Sequence, residues 1–135
     1  MTLSAGALQS ALSAAVGAAS SCGVAVNIAI VDAGGNLAGF LRMPGAFLAS
    51  ADIAIDKAWS ANSFGMSTVA LTQLFEEQSA MVRQGLLSRP RITVIPGGHP
   101  IHHDGTLKGG IGVSGASAEQ DDEIALCGLK ALMES

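Results

Sequence analysis

Charge is scarce in this 135-residue chain: seven Lys and Arg stand against eleven Asp and Glu, 13% of the residues, for a formal net charge of -4. Tyr is missing and aromatics make up 4%. The chain therefore lacks the cationic surface and stacking platforms on which nucleic-acid binding rests, and no nucleic-acid partner is expected. Polar residues or glycine interrupt every apolar stretch well before the roughly 20 residues of a membrane span, so no membrane partner is expected either. The opening segment MTLSAGALQSALSAAVGAASS has no Lys or Arg and so lacks the charged start of a signal peptide. Only two cysteines occur, Cys22 and Cys127, with no C-x-x-C pair. That argues against paired-thiol redox or zinc chemistry and for reduced thiols in a cytoplasmic protein.

What is abundant is apolar: 49% hydrophobic residues and 17 glycines. The length predicts a single domain over residues 1–135, able to bury roughly two-thirds of its unfolded surface without a metal or disulfide. So little polar material to cover a monomer predicts a homo-oligomer.

Periodicity orders the chain. Leu8, Leu12 and Val16, four apart, predict a helix from about Thr2 to Cys22, stopped by Gly23. Val24, Val26, Ile28 and Ile30 alternate with smaller residues as a strand. Asp32-Ala33-Gly34-Gly35-Asn36 then supplies a hairpin to a partner strand over Leu37–Arg42. Ala49–Phe64 reads as a second helix, Ser67–Gly85 as further helical material, and Ile92–Ile95 as a short β-branched strand. Asp104-Gly105 signals a hairpin between Pro100–His103 and Leu107–Val113, and Ser117 with Gln120 forms a capping box for a last helix, Ala118 to about Met133. The order α-β-β-α-β-β-β-α, with hairpin links, predicts an α+β fold: a five-stranded antiparallel sheet with helices packed on it.

Two charges sit where apolar residues belong. On the second helix Ile53, Ala54, Ala58, Ala61 and Phe64 share an arc that also holds Lys57, while Asp52, Asp56, Ser60 and Ser63 lie opposite. A Lys there lies over apolar surface with its amine in water, pairs with a buried acid, or serves a site. On the last helix Asp121 falls among Ile124, Ala125, Gly128 and Leu132, where the helix dipole alone also favours a carboxylate. These placements motivate a Lys57–Asp121 pair.

All three histidines, His99, His102 and His103, lie in the segment from Pro96 to Gly105. They are candidate acid/base groups, metal ligands or axial haem ligands, or simply solvated hairpin residues; in an extended strand only His99 and His103 share a face. Gly97 and Gly98 allow close backbone approach to a ligand, and Gly109–Gly115 leads into a helix N-terminus able to hold an anion. Neither a dinucleotide fingerprint nor a P-loop is present, and Ser114 lacks the G-x-S-x-G frame of a nucleophile elbow.

Taken in order, Val31-Asp32-Ala33-Gly34-Gly35-Asn36-Leu37, Leu41-Arg42-Met43-Pro44-Gly45-Ala46, Asp56-Lys57-Ala58, Pro96-Gly97-Gly98-His99-Pro100-Ile101, Asp104-Gly105, Gly110–Gly115 and Glu119-Gln120-Asp121 resemble the GlcG/HbpS family. That family is also met as the C-terminal domain of PduO-type proteins, and the likeness covers nearly the whole chain. The resemblance implies a profilin-like fold, assembly into dimers up to octamers, and members that bind haem, are fused to a corrinoid adenosyltransferase, or accompany glycolate or aromatic catabolism. Haem-binding relatives use a histidine near the N-terminal helix, whereas no His precedes His99 here. An axial ligand would come from His99, His102, His103 or Met43. Pro44 stands where an acidic residue is usual and His99 where an apolar one is common.

Two functions follow. The first is a small oligomeric binding protein holding haem, a corrinoid-like group or a small organic anion, with Asp32, Arg42, Met43, Gly97, Gly98, Asp104 and Ser114 as candidate ligand-binding residues. The second is a cofactor-independent lyase, isomerase or hydrolase acting on a small carboxylated intermediate. In it His99 or His103 is the base, Lys57 or Arg42 holds the carboxylate, and Asp32, Asp104 or Asp121 orients them.

Overall fold

A computed structural model describes residues 3–135, so the expected helix start at Thr2 lies outside the described residues. The chain runs α1 (Ala5–Ser21), β1 (Asn27–Asp32), β2 (Leu37–Arg42), α2 (Ala49–Phe64), α3 (Thr68–Glu76), α4 (Ala80–Leu87), β3 (Gly98–His103), β4 (Thr106–Ser114) and α5 (Ala118–Met133). The strands form one antiparallel sheet in the order β2-β1-β4-β3.

Serine begins four of the helices. Ser4, Ser67, Ser79 and Ser117 each accept a hydrogen bond from the backbone N–H three residues on, and Ser117 with Gln120 completes the capping box. Helix α1 ends in a Schellman turn: Gly23 N–H donates to the Ser20 carbonyl and Val24 N–H to that of Ala19.

The sheet separates two apolar clusters. Ile28 and Ile30 of β1 pack with Ile111, Val113, Ile101 and helices α1 and α5, whereas Ala29 and Val31 face Ala54 and Ala58 of α2. Strand β1 is thus buried on both sides from Asn27 to Val31, which a strand flanked by two others and two helix layers must be. Within α1 the fully buried stripe is Ala7, Ala11, Ala15 and Ala19, while the expected Leu8, Leu12 and Val16 are only partly buried beside it. Small residues win because α5 lies close: a Cβ on Gly128 would meet the Ala11 carbonyl at 3.2 Å.

The sheet has four strands rather than five. Residues 92–95 form no strand, because side chains of α2 and α3 take the hydrogen bonds that a neighbouring strand would have made. Ser60 Oγ donates to the Arg91 carbonyl and accepts from Thr93 N–H, and Thr72 Oγ1 donates to the Val94 carbonyl. Pro96 has no N–H to offer. Ser60, expected on the exposed side of its helix, is consequently buried.

Helix α2 rests on backbone. A Cβ on Gly112 would collide with the Ala54 carbonyl, so only glycine lets β4 run directly beneath α2 and bring Lys57 against the far end of that strand.

Candidate functional site

Lys57 is 1% exposed and Asp121 4%, and their side chains meet: Lys57 Nζ lies 3.2 Å from Asp121 Oδ2. The pair anticipated from two helix arcs is therefore present in the geometry. Nζ also donates to the Val113 carbonyl at 2.7 Å, and Ala116 N–H donates to Asp121 Oδ1 at 2.9 Å. Both carboxylate oxygens are thereby held, at the first turn of α5 where the helix dipole favours negative charge. Gly97 completes the enclosure with φ +124°; a Cβ there would lie 2.6 Å from the Val113 carbonyl and 3.0 Å from Lys57 Nζ. Burial pushes the Lys57 amine below the ordinary lysine value, against the opposing pull of Asp121 and Asp122.

Lys57 and Asp121 both line a cavity of about 280 Å³ whose other walls include Phe47, Ser50, Ile53, Ile95, Ser114 and Ala116. An ammonium carries three N–H donors, and Lys57 finds two acceptors among the described residues, the Val113 carbonyl and Asp121. The cavity that Lys57 helps to line is small and mostly apolar. Asn27, the residue paired with Ser114 across β1 and β4, is also fully buried. Its Nδ2 donates to the carbonyl of the cavity residue Phe47, and its Oδ1 has no partner among the described residues.

The other candidates divide. His99 Nε2 sits 2.7 Å from Asp122 Oδ1, one residue along α5 from Asp121, but does not line the cavity. His103 lies 3.3 Å from the exposed Asp104, and His102 is exposed. No three His, Cys, Asp or Glu side chains gather to hold a metal among the described residues. Asp32 Oδ1 accepts from Gly34 and Asn36 N–H, bracing the β1–β2 turn, and Arg42 donates to the Ala46 carbonyl. Met43 is buried in the core with its sulfur 3.5 Å from Val26 N. Gly98 is buried between Thr68 and the Lys57 carbonyl. The structure thus brings Lys57, Asp121, Gly97 and Ser114 together and leaves Asp32, Arg42, Met43, Asp104, His102 and His103 elsewhere.

Sequence reasoning missed Phe47, Ser50, Ile53 and Ile95 as cavity walls. A further signal for this end of the molecule, beside the arcs of Lys57 and Asp121, was Asn27, an amide among Ile28, Ala29, Ile30 and Val31.

A second cavity, also about 280 Å³, is lined by Trp59, Arg89, Pro90, Arg91 and Ile92, with the Arg91 guanidinium 4.5 Å from the Trp59 ring centroid. It contains none of the candidates. No helix among the described residues is long and apolar enough to cross a membrane.

A family model described as haem degrading protein HbpS-like matches residues 3–130. The chain is 36% identical over 132 residues to the corrinoid adenosyltransferase PduO of Citrobacter freundii, covering 98% of this chain and 39% of that protein. Among solved structures, the Klebsiella pneumoniae protein ORFY matches with a TM-score of 0.89 and 34% identity, covering all of this chain and 92% of that one. A PduOC–haem complex matches with a TM-score of 0.89 and 34% identity, covering 97% and 95%.

Proposed function

The chain belongs to the HbpS-like family, and from that premise we propose that it is a binding protein for a small organic ligand whose carboxylate or carbonyl oxygen is received by Lys57. The observation that carries this reading is the buried Lys57 ammonium, which has two acceptors for its three donors among the described residues and belongs to the lining of a largely apolar cavity. An unfilled donor in a site of low dielectric is costly, and a ligand oxygen relieves that cost. Phe47, Ile53 and Ile95 then cover the ligand's hydrocarbon part, and Ser114 offers a further hydroxyl. Asp121 keeps the amine in place.

This cavity offers haem no axial ligand, because neither His nor Met is among its walls. Haem binding outside the cavity is a second reading, favoured by the likeness to the PduOC–haem complex. An axial ligand would come from His102 or His103, which lie at the β3–β4 hairpin.

Calorimetric titration with short-chain carboxylates and ketones separates the two. Saturable binding at about one site per chain, lost in Lys57→Met, supports the cavity reading; unchanged binding in that variant removes it. A Soret shift that is lost in the His102→Ala/His103→Ala double variant supports the haem reading, and a featureless haem titration removes it.

A further inference from the structure

We propose that Lys57 reacts covalently and reversibly with a small carbonyl compound held in this cavity, forming an imine. The inference rests on the ligand reading above and deepens it by naming the ligand class: a short aliphatic ketone or 2-oxo acid.

The geometry supplies each part of the step. Lys57 lines a cavity whose walls are largely apolar, and its Nζ is fixed by the Val113 carbonyl at 2.7 Å. A lysine becomes a nucleophile only as the neutral amine, and a desolvated pocket is one way proteins obtain it. Burial favours that form here. Asp121 Oδ2, 3.2 Å away, is placed to take the departing proton and to return it.

The balance closes without any other reactant. Lys57 ammonium gives one proton to the Asp121 carboxylate, and the neutral amine attacks the carbonyl carbon. One N–H proton moves to the carbonyl oxygen, leaving a carbinolamine. The Asp121 proton then passes to the carbinolamine hydroxyl, the C–O bond breaks and water leaves, giving a protonated imine and an ionised Asp121. Nothing is oxidised or reduced. The cationic imine keeps the positive charge opposite Asp121 that the ammonium had, so the buried pair is preserved through the cycle. Ser50 and Ser114 also line the cavity and offer hydroxyls to a carboxylate on the ligand.

The test uses the intact chain and its own internal controls, because Lys57, Lys108 and Lys130 are its only lysines. The protein is incubated with butanone or 2-oxobutanoate, reduced with borohydride, weighed by mass spectrometry and peptide-mapped, while calorimetry without reductant follows binding of the same compounds. The expected result is one adduct on Lys57 that saturates with carbonyl concentration and forms about tenfold or more faster than on the two other lysines. Binding without a Lys57 adduct overturns the imine and leaves the ligand reading standing. Neither binding nor adduct at Lys57, with slow unsaturable labelling of Lys108 and Lys130, overturns both.

Discussion

Asp121 and Asp122 are consecutive on α5 and each meets a nitrogen from another element, yet the two pairs live in different worlds. His99 and Asp122 are the closer couple at 2.7 Å, but their side chains keep 13% and 24% of their exposure. Lys57 and Asp121 are 3.2 Å apart and almost wholly out of water. Distance alone would rank the histidine pair first. Screening reverses the ranking, since a partly hydrated pair contributes little and a desolvated one cannot lose a partner without stranding a charge.

The sharpest way to break this comparison is to delete the two acids separately. Asp121→Ala leaves Lys57 uncompensated and is expected to cost about 3–5 kcal/mol, read as a lower denaturation midpoint. Asp122→Ala should cost no more than about 1 kcal/mol. Equal losses would show that the two pairs are energetically alike.

Removing both buried charges refines it further. Lys57→Met with Asp121→Leu fills the same volume with apolar groups, and such exchanges are often neutral or stabilising by about 1–4 kcal/mol. The double variant should therefore fold as well as the native chain while binding no carboxylate or ketone. A destabilised double variant would assign the pair to folding instead.

A pH series reads the same burial. The folded chain holds the Lys57 proton less tightly than the unfolded chain does, with Asp121 and Asp122 opposing burial and His99 paired to Asp122 on the adjoining face. The unfolded state therefore binds more protons between the lowered value and the ordinary 10.5, and stability rises with pH through that window and is lost as pH falls through it. Chemical denaturation should show this slope in the native chain and a flatter one in Lys57→Met.

The smallest effect belongs to the histidine. His99→Gln is expected to change stability by less than about 1 kcal/mol and to leave ligand binding in place. A loss of binding in that variant would extend the site to His99.

Much of this arrangement is legible in the amino-acid sequence. Helix spacing places Lys57 and Asp121 on core-facing arcs because a 3.6-residue period sorts faces without knowing what they face. The family is legible from short motifs at fixed spacing. The fate of Ile92–Ile95 is not, because β-branched residues report a preference for extended backbone but not the partner. Here Ser60 and Thr72 are that partner, and their involvement depends on tertiary placement. The cavity walls are hidden for a similar reason. Phe47 and Ile95 look like any surface or core apolar residue until the fold brings them with Ser114 and Lys57 around one cavity. The histidine cluster, the most conspicuous chemical feature of the sequence, disperses in the fold because His99 turns to α5 while His102 and His103 stay on the hairpin.

The most direct test of the central claim is the magnetic resonance signal of the Lys57 amine. With lysine labelled by ¹³C and ¹⁵N, three side chains report, Lys57, Lys108 and Lys130, during titration with butanoate, 2-oxobutanoate and butanone. A saturable shift confined to Lys57 is the predicted result. Three lysines drifting together, or Lys57 unmoved while another lysine responds, would contradict it.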